Sequence, residues 1–210
     1  MADRIDEALL ERARRSLRRR DPVLGDVIRR VGACGLRRRG DPYRYLVRSV
    51  LFQQITGAAG SAIEKRLHAA YGGRVPAPAQ LRVAETETLR GAGLSRQKIE
   101  SLRAIATAFD ERSLDARRLA RLPDDAVVEA VTVVRGVGEW TAHMLLMFSL
   151  GRPDVLPVGD YGVRKAAQRL YSLGHLPNRQ ELTDLARPWR PHRTVASWYL
   201  WRSLGVQVLL

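Results

Sequence analysis

Apolar residues recur at spacings of three and four along almost the whole chain, and that period constrains the fold more than any other feature. Ile5, Leu9, Ala13 and Leu17 form one stripe, and Val47, Val50 and Leu51 another. The pattern returns at Ala59, Ile63, Leu67 and Ala70, at Ile99, Leu102, Ala106 and Phe109, at Val163, Ala166, Ala167 and Leu170, and at Val195, Trp198 and Tyr199. Such a stripe covers one face of a helix and has to be buried against another. No segment sustains period-two alternation with β-branched residues and hairpin turns, so an all-α fold is expected. With 210 residues, 45% of them hydrophobic, the chain can bury a core without disulfides or a structural metal.

Turn and cap residues agree with the periodicity. Asp21-Pro22 and Asp41-Pro42 read as helix starts, with the acid as N-cap and proline at the first helical position. Ser95 is expected to cap the helix from Arg96, and Asp124 the helix after Pro123. Gly72-Gly73, then Pro76 and Pro78, are expected to end the helix that carries Ile63 and Leu67.

Charge narrows the function classes. Lys plus Arg is 36 against 22 Asp plus Glu, a net charge of +14, which favours polyanions such as nucleic acid. Only Lys65, Lys98 and Lys165 are lysines; codon bias in a GC-rich genome would explain that ratio but not the net charge. The stretches 12–20 and 37–39 are arginine-rich and fit either a solvated helix face or direct DNA contact. Cys34 is the single cysteine, which excludes an internal disulfide, a four-cysteine zinc site and an iron–sulfur site within the chain. No run of about 18 apolar residues offers a membrane span, and the charged N-terminus has no signal-peptide core. A reducing, cytoplasmic setting is expected. His68, His143, His175 and His192 show no metal-ligand spacing.

The most informative segment runs from Val131 to Met144. An apolar helix enters a tight turn, Arg135-Gly136-Val137-Gly138, and a second helix, Glu139 to Leu150, leaves at once. Gly136 and Gly138 permit positive φ and close backbone approach, and Val137 would plug the turn into the core. Backbone N–H groups at such a turn can bind phosphate without reading a base. Twenty residues after Trp140, Asp160 precedes an apolar-periodic helix. Asp160 reads either as an ordinary N-cap or as a functional carboxylate whose ionised form the helix dipole favours.

Taken together, these segments resemble the helix-hairpin-helix-GPD superfamily of base-excision DNA glycosylases. The resemblance spans about residues 41–204 and rests on Leu46-Val47-Arg48-Ser49-Val50-Leu51-Phe52-Gln53-Gln54-Ile55, on Arg135-Gly136-Val137-Gly138-Glu139-Trp140-Thr141-Ala142 and on Pro157-Val158-Gly159-Asp160. The pattern looks like the AlkA-like branch, 3-methyladenine DNA glycosylase II. It implies a single core over 1–210 with no N-terminal β-domain, built as two helical lobes flanking a DNA-binding cleft. One lobe would span about 45–155 and hold the hairpin at 134–138; the other would combine about 1–44 with 156–210.

The resemblance also implies roles. Asp160 matches the catalytic aspartate. Trp140 falls where bifunctional relatives carry a Schiff-base lysine, so strand nicking is not expected. Trp140, Trp201, Met144 and Tyr161 match base-pocket positions. Gln53 and Gln54 match the loop that wedges DNA open, although the AlkA-like pattern has leucine at 54. Arg135, Gly136, Val137 and Gly138 match the DNA-backbone contact. Thr132, Val134 and Val137 match positions whose backbone carbonyls hold a monovalent cation, Na or K, in relatives. No other cofactor is expected, and an iron–sulfur cluster is excluded by the lone cysteine. The implied partner is double-stranded DNA with damaged bases, met by a monomer at the nucleoid if the source is bacterial. Implied substrates are 3-methyladenine and 7-methylguanine, with 1-methyladenine and 3-methylcytosine as further cases. Two alternatives stay open: a non-enzymatic helix-hairpin-helix DNA-binding module, and a glycosylase for oxidised or deaminated bases.

Overall fold

The computed structural model describes residues 5–206, and among them every regular element is helical. The helices are α1 (Glu7–Arg20), α2 (Pro22–Val31), α3 (Pro42–Phe52), α4 (Gly57–Ala70), α5 (Pro78–Arg82), α6 (Thr86–Gly91), α7 (Arg96–Asp110), α8 (Ala116–Leu119), α9 (Asp124–Thr132), α10 (Glu139–Met144), α11 (Tyr161–Leu170), α12 (Arg179–Leu185) and α13 (Arg193–Ser203). A π-helical stretch, Leu145–Leu150, continues α10, and a short 3-10 turn covers Arg187–Trp189. The all-α expectation is met. The chain forms two compact units, one from Gly40–Leu145 and the other from the described residues up to Arg39 together with those from Leu146 onward.

In the Gly40–Leu145 unit, α7 is the central helix and packs on α3, α5 and α6. Its apolar face, Ile99, Leu102, Ile105 and Ala106, is buried together with Leu46, Leu51, Leu67, Leu81 and Leu89. Each fully buried Leu or Ile contributes roughly 1.5–3 kcal/mol of transfer free energy. Ser95 caps α7 as expected, its hydroxyl accepting from the Lys98 N–H at 3.3 Å. Asp41 caps α3 through the Arg44 N–H at 2.9 Å. Two expectations need correction. Pro123, not Asp124, occupies the cap position of α9, and Asp124 is the first helical residue, where its charge still complements the helix dipole. Pro78 opens a further helix, α5, instead of only ending the previous one; α4 itself stops at the left-handed Gly72 and Gly73, with the Gly73 N–H closing onto His68 O.

In the other unit, α13 packs on α1, α2 and α11. It is buried on every side from Thr194 to Trp201, whereas the periodic stripe of Val195, Trp198 and Tyr199 implied one buried face. The polar members of that run are satisfied internally, which is what makes full burial tolerable. Thr194 Oγ1 donates to Arg152 O at 2.7 Å and accepts from Val155 N at 3.0 Å. Ser197 Oγ donates to Arg193 O at 2.8 Å, and Tyr199 Oη to Gly32 O at 2.8 Å. Asp154 grips Arg193 through the Nε at 2.8 Å and the backbone N–H at 3.2 Å, fixing the start of α13. Asp21 caps α2 through the Leu24 N–H and also accepts from Tyr171 Oη at 2.5 Å and Trp189 Nε1 at 2.7 Å. Trp189 and Trp198 are core residues.

Candidate functional site

The residues singled out by the sequence fall into two groups, one in each compact unit. The first is centred on Asp160. Pro157-Val158-Gly159 forms a tight turn closed by the Asp160 N–H on Pro157 O at 2.9 Å. The turn delivers Asp160 to the N-cap of α11, where Oδ1 accepts from the Val163 N–H at 2.7 Å. The same oxygen accepts from the Trp201 indole N–H at 2.8 Å. Asp160 is 8% exposed and Trp201 6%, so the bond is shielded from water. The Trp201 ring stacks on Phe148, centroids 6.1 Å apart and planes 28° apart. α13 thus aims an indole donor at the carboxylate and α11 holds that carboxylate from below. These two hydrogen bonds both fall on Oδ1.

Gly162 completes this arrangement and was not anticipated. A Cβ at 162 would sit 3.0 Å from Trp201 Cδ1 and 3.1 Å from Asp160 Oδ1. A side chain there would press the indole and the carboxylate apart. The spacing Gly159-Asp160-Tyr161-Gly162 carried the signal, since a glycine in the first turn of a helix has no propensity of its own to recommend it. Tyr161 is 66% exposed.

The second group is the hairpin between α9 and α10. Val137 is buried, as its place between two glycines implied. The glycines are not equivalent. Gly136 has φ +85°, and a Cβ there would run into the Ser101 hydroxyl and Cβ on α7. Gly138 has φ −90° and serves as the N-cap of α10, and a Cβ there would meet nothing within 4 Å. Of the two glycines that permit positive φ, Gly136 alone adopts it. The Val137 N–H is engaged by Val134 O at 3.0 Å. Arg135 pairs with Glu100 of α7, which also accepts from Arg96 Nε at 2.9 Å. These partners pull the Glu100 carboxyl below its ordinary range, chiefly through the Arg96 hydrogen bond.

Gln53 and Gln54 follow α3 and behave differently. Gln53 turns its amide onto the hairpin and donates to Gly136 O at 3.1 Å. Gln54 is exposed and adopts φ +57°, and the next residue, Ile55, is 37% exposed. Trp140 on α10 is 41% exposed, whereas Met144 is buried at 1%. Thr132, Val134 and Val137 offer neutral main-chain oxygens of the kind that suits Na or K. The Val134 carbonyl already accepts one N–H, which leaves its second lone pair for such an ion. Lys98, Glu100 and Ser101, all from the start of α7, support the hairpin or its neighbouring loop and were not foreseen.

Known proteins place this chain. A family model described as "HhH-GPD superfamily base excision DNA repair protein" matches residues 47–191, which include the hairpin and Asp160. DNA-3-methyladenine glycosylase 1 of Schizosaccharomyces pombe is 35% identical over 165 residues, covering 78% of this chain and 72% of that protein. The solved structure of a Schizosaccharomyces pombe 3-methyladenine DNA glycosylase (Mag1) in complex with abasic DNA superposes with a TM-score of 0.84 at 31% identity, covering 93% of this chain and 97% of that one. A DNA-3-methyladenine glycosidase from Bacillus halodurans gives a TM-score of 0.82 at 37% identity, over 91% and 88% of the two chains. The chain belongs to the HhH-GPD superfamily of base excision DNA repair proteins.

Proposed function

We propose that this protein is a monofunctional DNA glycosylase that hydrolyses the N-glycosidic bond of alkylated bases flipped out of duplex DNA. The observation that carries the reading is Asp160: a buried carboxylate at a helix N-terminus, one oxygen fixed by an indole N–H and a backbone N–H. A base in a duplex has to leave the stack before its glycosidic bond can be reached. Alkylation of a purine ring nitrogen places positive charge on the base, so the leaving group needs no strong acid. As the C1′–N bond breaks, its electrons pass to the base, which departs neutral, and positive charge grows on the sugar. The Asp160 carboxylate stabilises that charge, by the logic of sugar hydrolases with oxocarbenium-like transition states. Water then adds to C1′ and loses its proton.

Trp140, Trp201, Met144 and Tyr161 are assigned to the base pocket by the family resemblance. Electron-rich indoles attract a cationic base by about 0.5–2 kcal/mol each. Trp140 takes the place of a Schiff-base lysine, so no covalent adduct is expected. Arg135, Gly136, Val137 and Gly138 are assigned to the DNA backbone, with Thr132, Val134 and Val137 carbonyls holding a monovalent cation that would add positive charge beside a phosphate. Gln54, exposed at the loop tip, is assigned the wedge.

Duplexes carrying single defined lesions test the proposal: 3-methyladenine, 7-methylguanine, 1-methyladenine and 3-methylcytosine, with 8-oxoguanine and uracil as controls. The expected result is release of alkylated bases, with the strand intact until heat or alkali is applied. Release of the control bases alone, or an enzyme–DNA adduct trapped by borohydride, would refute it.

A further inference from the structure

The first turn of α7 is Arg96, Gln97 and Lys98, behind the Ser95 cap. A cation in the first turn opposes the helix's own dipole, so nothing in α7 itself calls for lysine at 98. The side chain leaves α7 and crosses to α3, where Nζ donates to Leu51 O at 2.7 Å. Leu51 lies in the last turn of α3, where carbonyls lack intrahelical partners and the dipole favours a cation. Partial burial pushes the Lys98 ammonium pKa down, the direction for a cation drawn out of water.

Two residues beyond Leu51 is Gln53, whose amide reaches Gly136 O at 3.1 Å. The same stretch of α7 supports the hairpin directly, through the Glu100–Arg135 ion pair and the close seat of Gly136 on Ser101. The far side of the loop is closed as well. The Phe52 ring lies where a Cβ on Gly60 would come within 2.6 Å, and the Arg48 guanidinium stands 4.1 Å from the ring centre. The loop 53–56 is therefore tied at both ends, while its tip presents Gln54 and Ile55 to solvent.

We infer that Lys98 is a positioning residue that locks the loop 53–56 and the 135–138 hairpin into one rigid DNA-engaging edge. The inference rests on the glycosylase reading for its function and on the Lys98–Leu51 and Gln53–Gly136 bonds for its geometry. Holding a base out of the stack costs a few kcal/mol. A side chain that fills the gap offsets this only if its loop keeps a fixed distance from the phosphates gripped by the hairpin. Without the Lys98 bond, the last turn of α3 keeps its apolar packing on α7 but loses the hydrogen bond that fixes its carbonyl end.

The test uses the full chain with Lys98→Met and Lys98→Arg. One readout is single-turnover base release from a methylated duplex. The other is fluorescence of 2-aminopurine beside a tetrahydrofuran abasic analogue, in an Asp160→Asn background, which reports entry of the loop tip without chemistry. Lys98→Met is expected to slow release roughly ten- to a hundred-fold, the scale of a small misplacement of catalytic geometry, and to suppress the fluorescence rise. Affinity for undamaged duplex, set by phosphate contacts, should stay within about two-fold. Lys98→Arg should restore both signals, because a guanidinium can reach the same carbonyl. Should Lys98→Met fail to fold, Gln53→Leu breaks the second tie and is expected to reproduce the same split. Wild-type release and fluorescence in the folded variant would overturn the inference, as would an equal loss of undamaged-duplex affinity or an arginine variant no better than methionine. If the wild-type protein releases no base, the glycosylase reading fails, and the fluorescence readout still judges the brace.

Discussion

Replacing Gly136 by alanine should damage the fold, and replacing Gly138, two residues away, should not. At Gly136 two costs combine. A non-glycine residue at φ +85° is strained by about 1–2 kcal/mol. Its Cβ would also lie closer than 3.0 Å to the Ser101 side chain, and such overpacking costs about 1–3 kcal/mol. Together Gly136→Ala should lose roughly 2–5 kcal/mol. At Gly138 the backbone is ordinary, φ −90°, and the space around a Cβ is open. There a weaker N-cap and a less flexible unfolded chain nearly cancel, each worth about 0.5–1 kcal/mol. The assay is urea denaturation of both variants, read from the midpoint at constant slope. Adding Ser101→Gly to Gly136→Ala should recover the overpacking part and leave the φ strain. Equal stability of Gly136→Ala and wild type would rule out both costs, as would Gly138→Ala being the less stable of the two variants. Because Gly138 faces open space, Gly138→Ala should still weaken duplex binding if a phosphate approaches there.

Gly162→Ala should leave stability within about 2 kcal/mol of wild type, since better helix propensity offsets part of the crowding. It should slow base release more than it changes DNA affinity, because the crowding falls on Trp201 and Asp160. Single-turnover kinetics beside a binding titration would check this. His192 has a buried Nδ1 with no hydrogen-bond partner among the described residues, and its pKa is lowered mainly by burial. Asp154 opposes that shift, while Arg20 and Arg12 add to it. A depressed histidine pKa means the unfolded chain binds more protons. Stability should therefore fall as pH drops through the ordinary histidine value of 6.5 toward the lower folded one. Melting temperature against pH should show that decline, and His192→Gln should flatten it.

Much of the helical frame was legible because its signals are local. Asp21, Asp41, Ser95 and Asp160 each cap the helix they precede, since a short polar side chain beside a helix start reaches an orphan N–H wherever the helix is placed. Asp124 misled because Pro123 already has the extended backbone of a cap, which moves the acid into the first turn. The full burial of α13 was hidden for a different reason. Thr194 and Ser197 lie outside the stripe of Val195, Trp198 and Tyr199, and only the fold supplies the carbonyls of Arg152 and Arg193 that satisfy them. The two hairpin glycines look identical in sequence, and only the approach of Ser101 separates them. The bond from Trp201 to Asp160 spans 41 residues and has no local signature. It was reachable only through resemblance, which paired the two residues in one site without saying that they touch. Lys98 carried a usable signal, a cation at the wrong end of a helix.

The proposed mechanism requires that the charge of Asp160, not its shape, drives base release. Asparagine at 160 keeps an oxygen where Oδ1 now accepts from Val163 N and Trp201 Nε1, so the cap and the indole contact survive. The decisive measurement is single-turnover release of 3-methyladenine by Asp160→Asn beside its affinity for an abasic duplex. Release should fall by about a hundred-fold or more, the scale of losing a preorganised charge at the reacting centre, with affinity nearly unchanged. Release at the wild-type rate would contradict the assignment of Asp160.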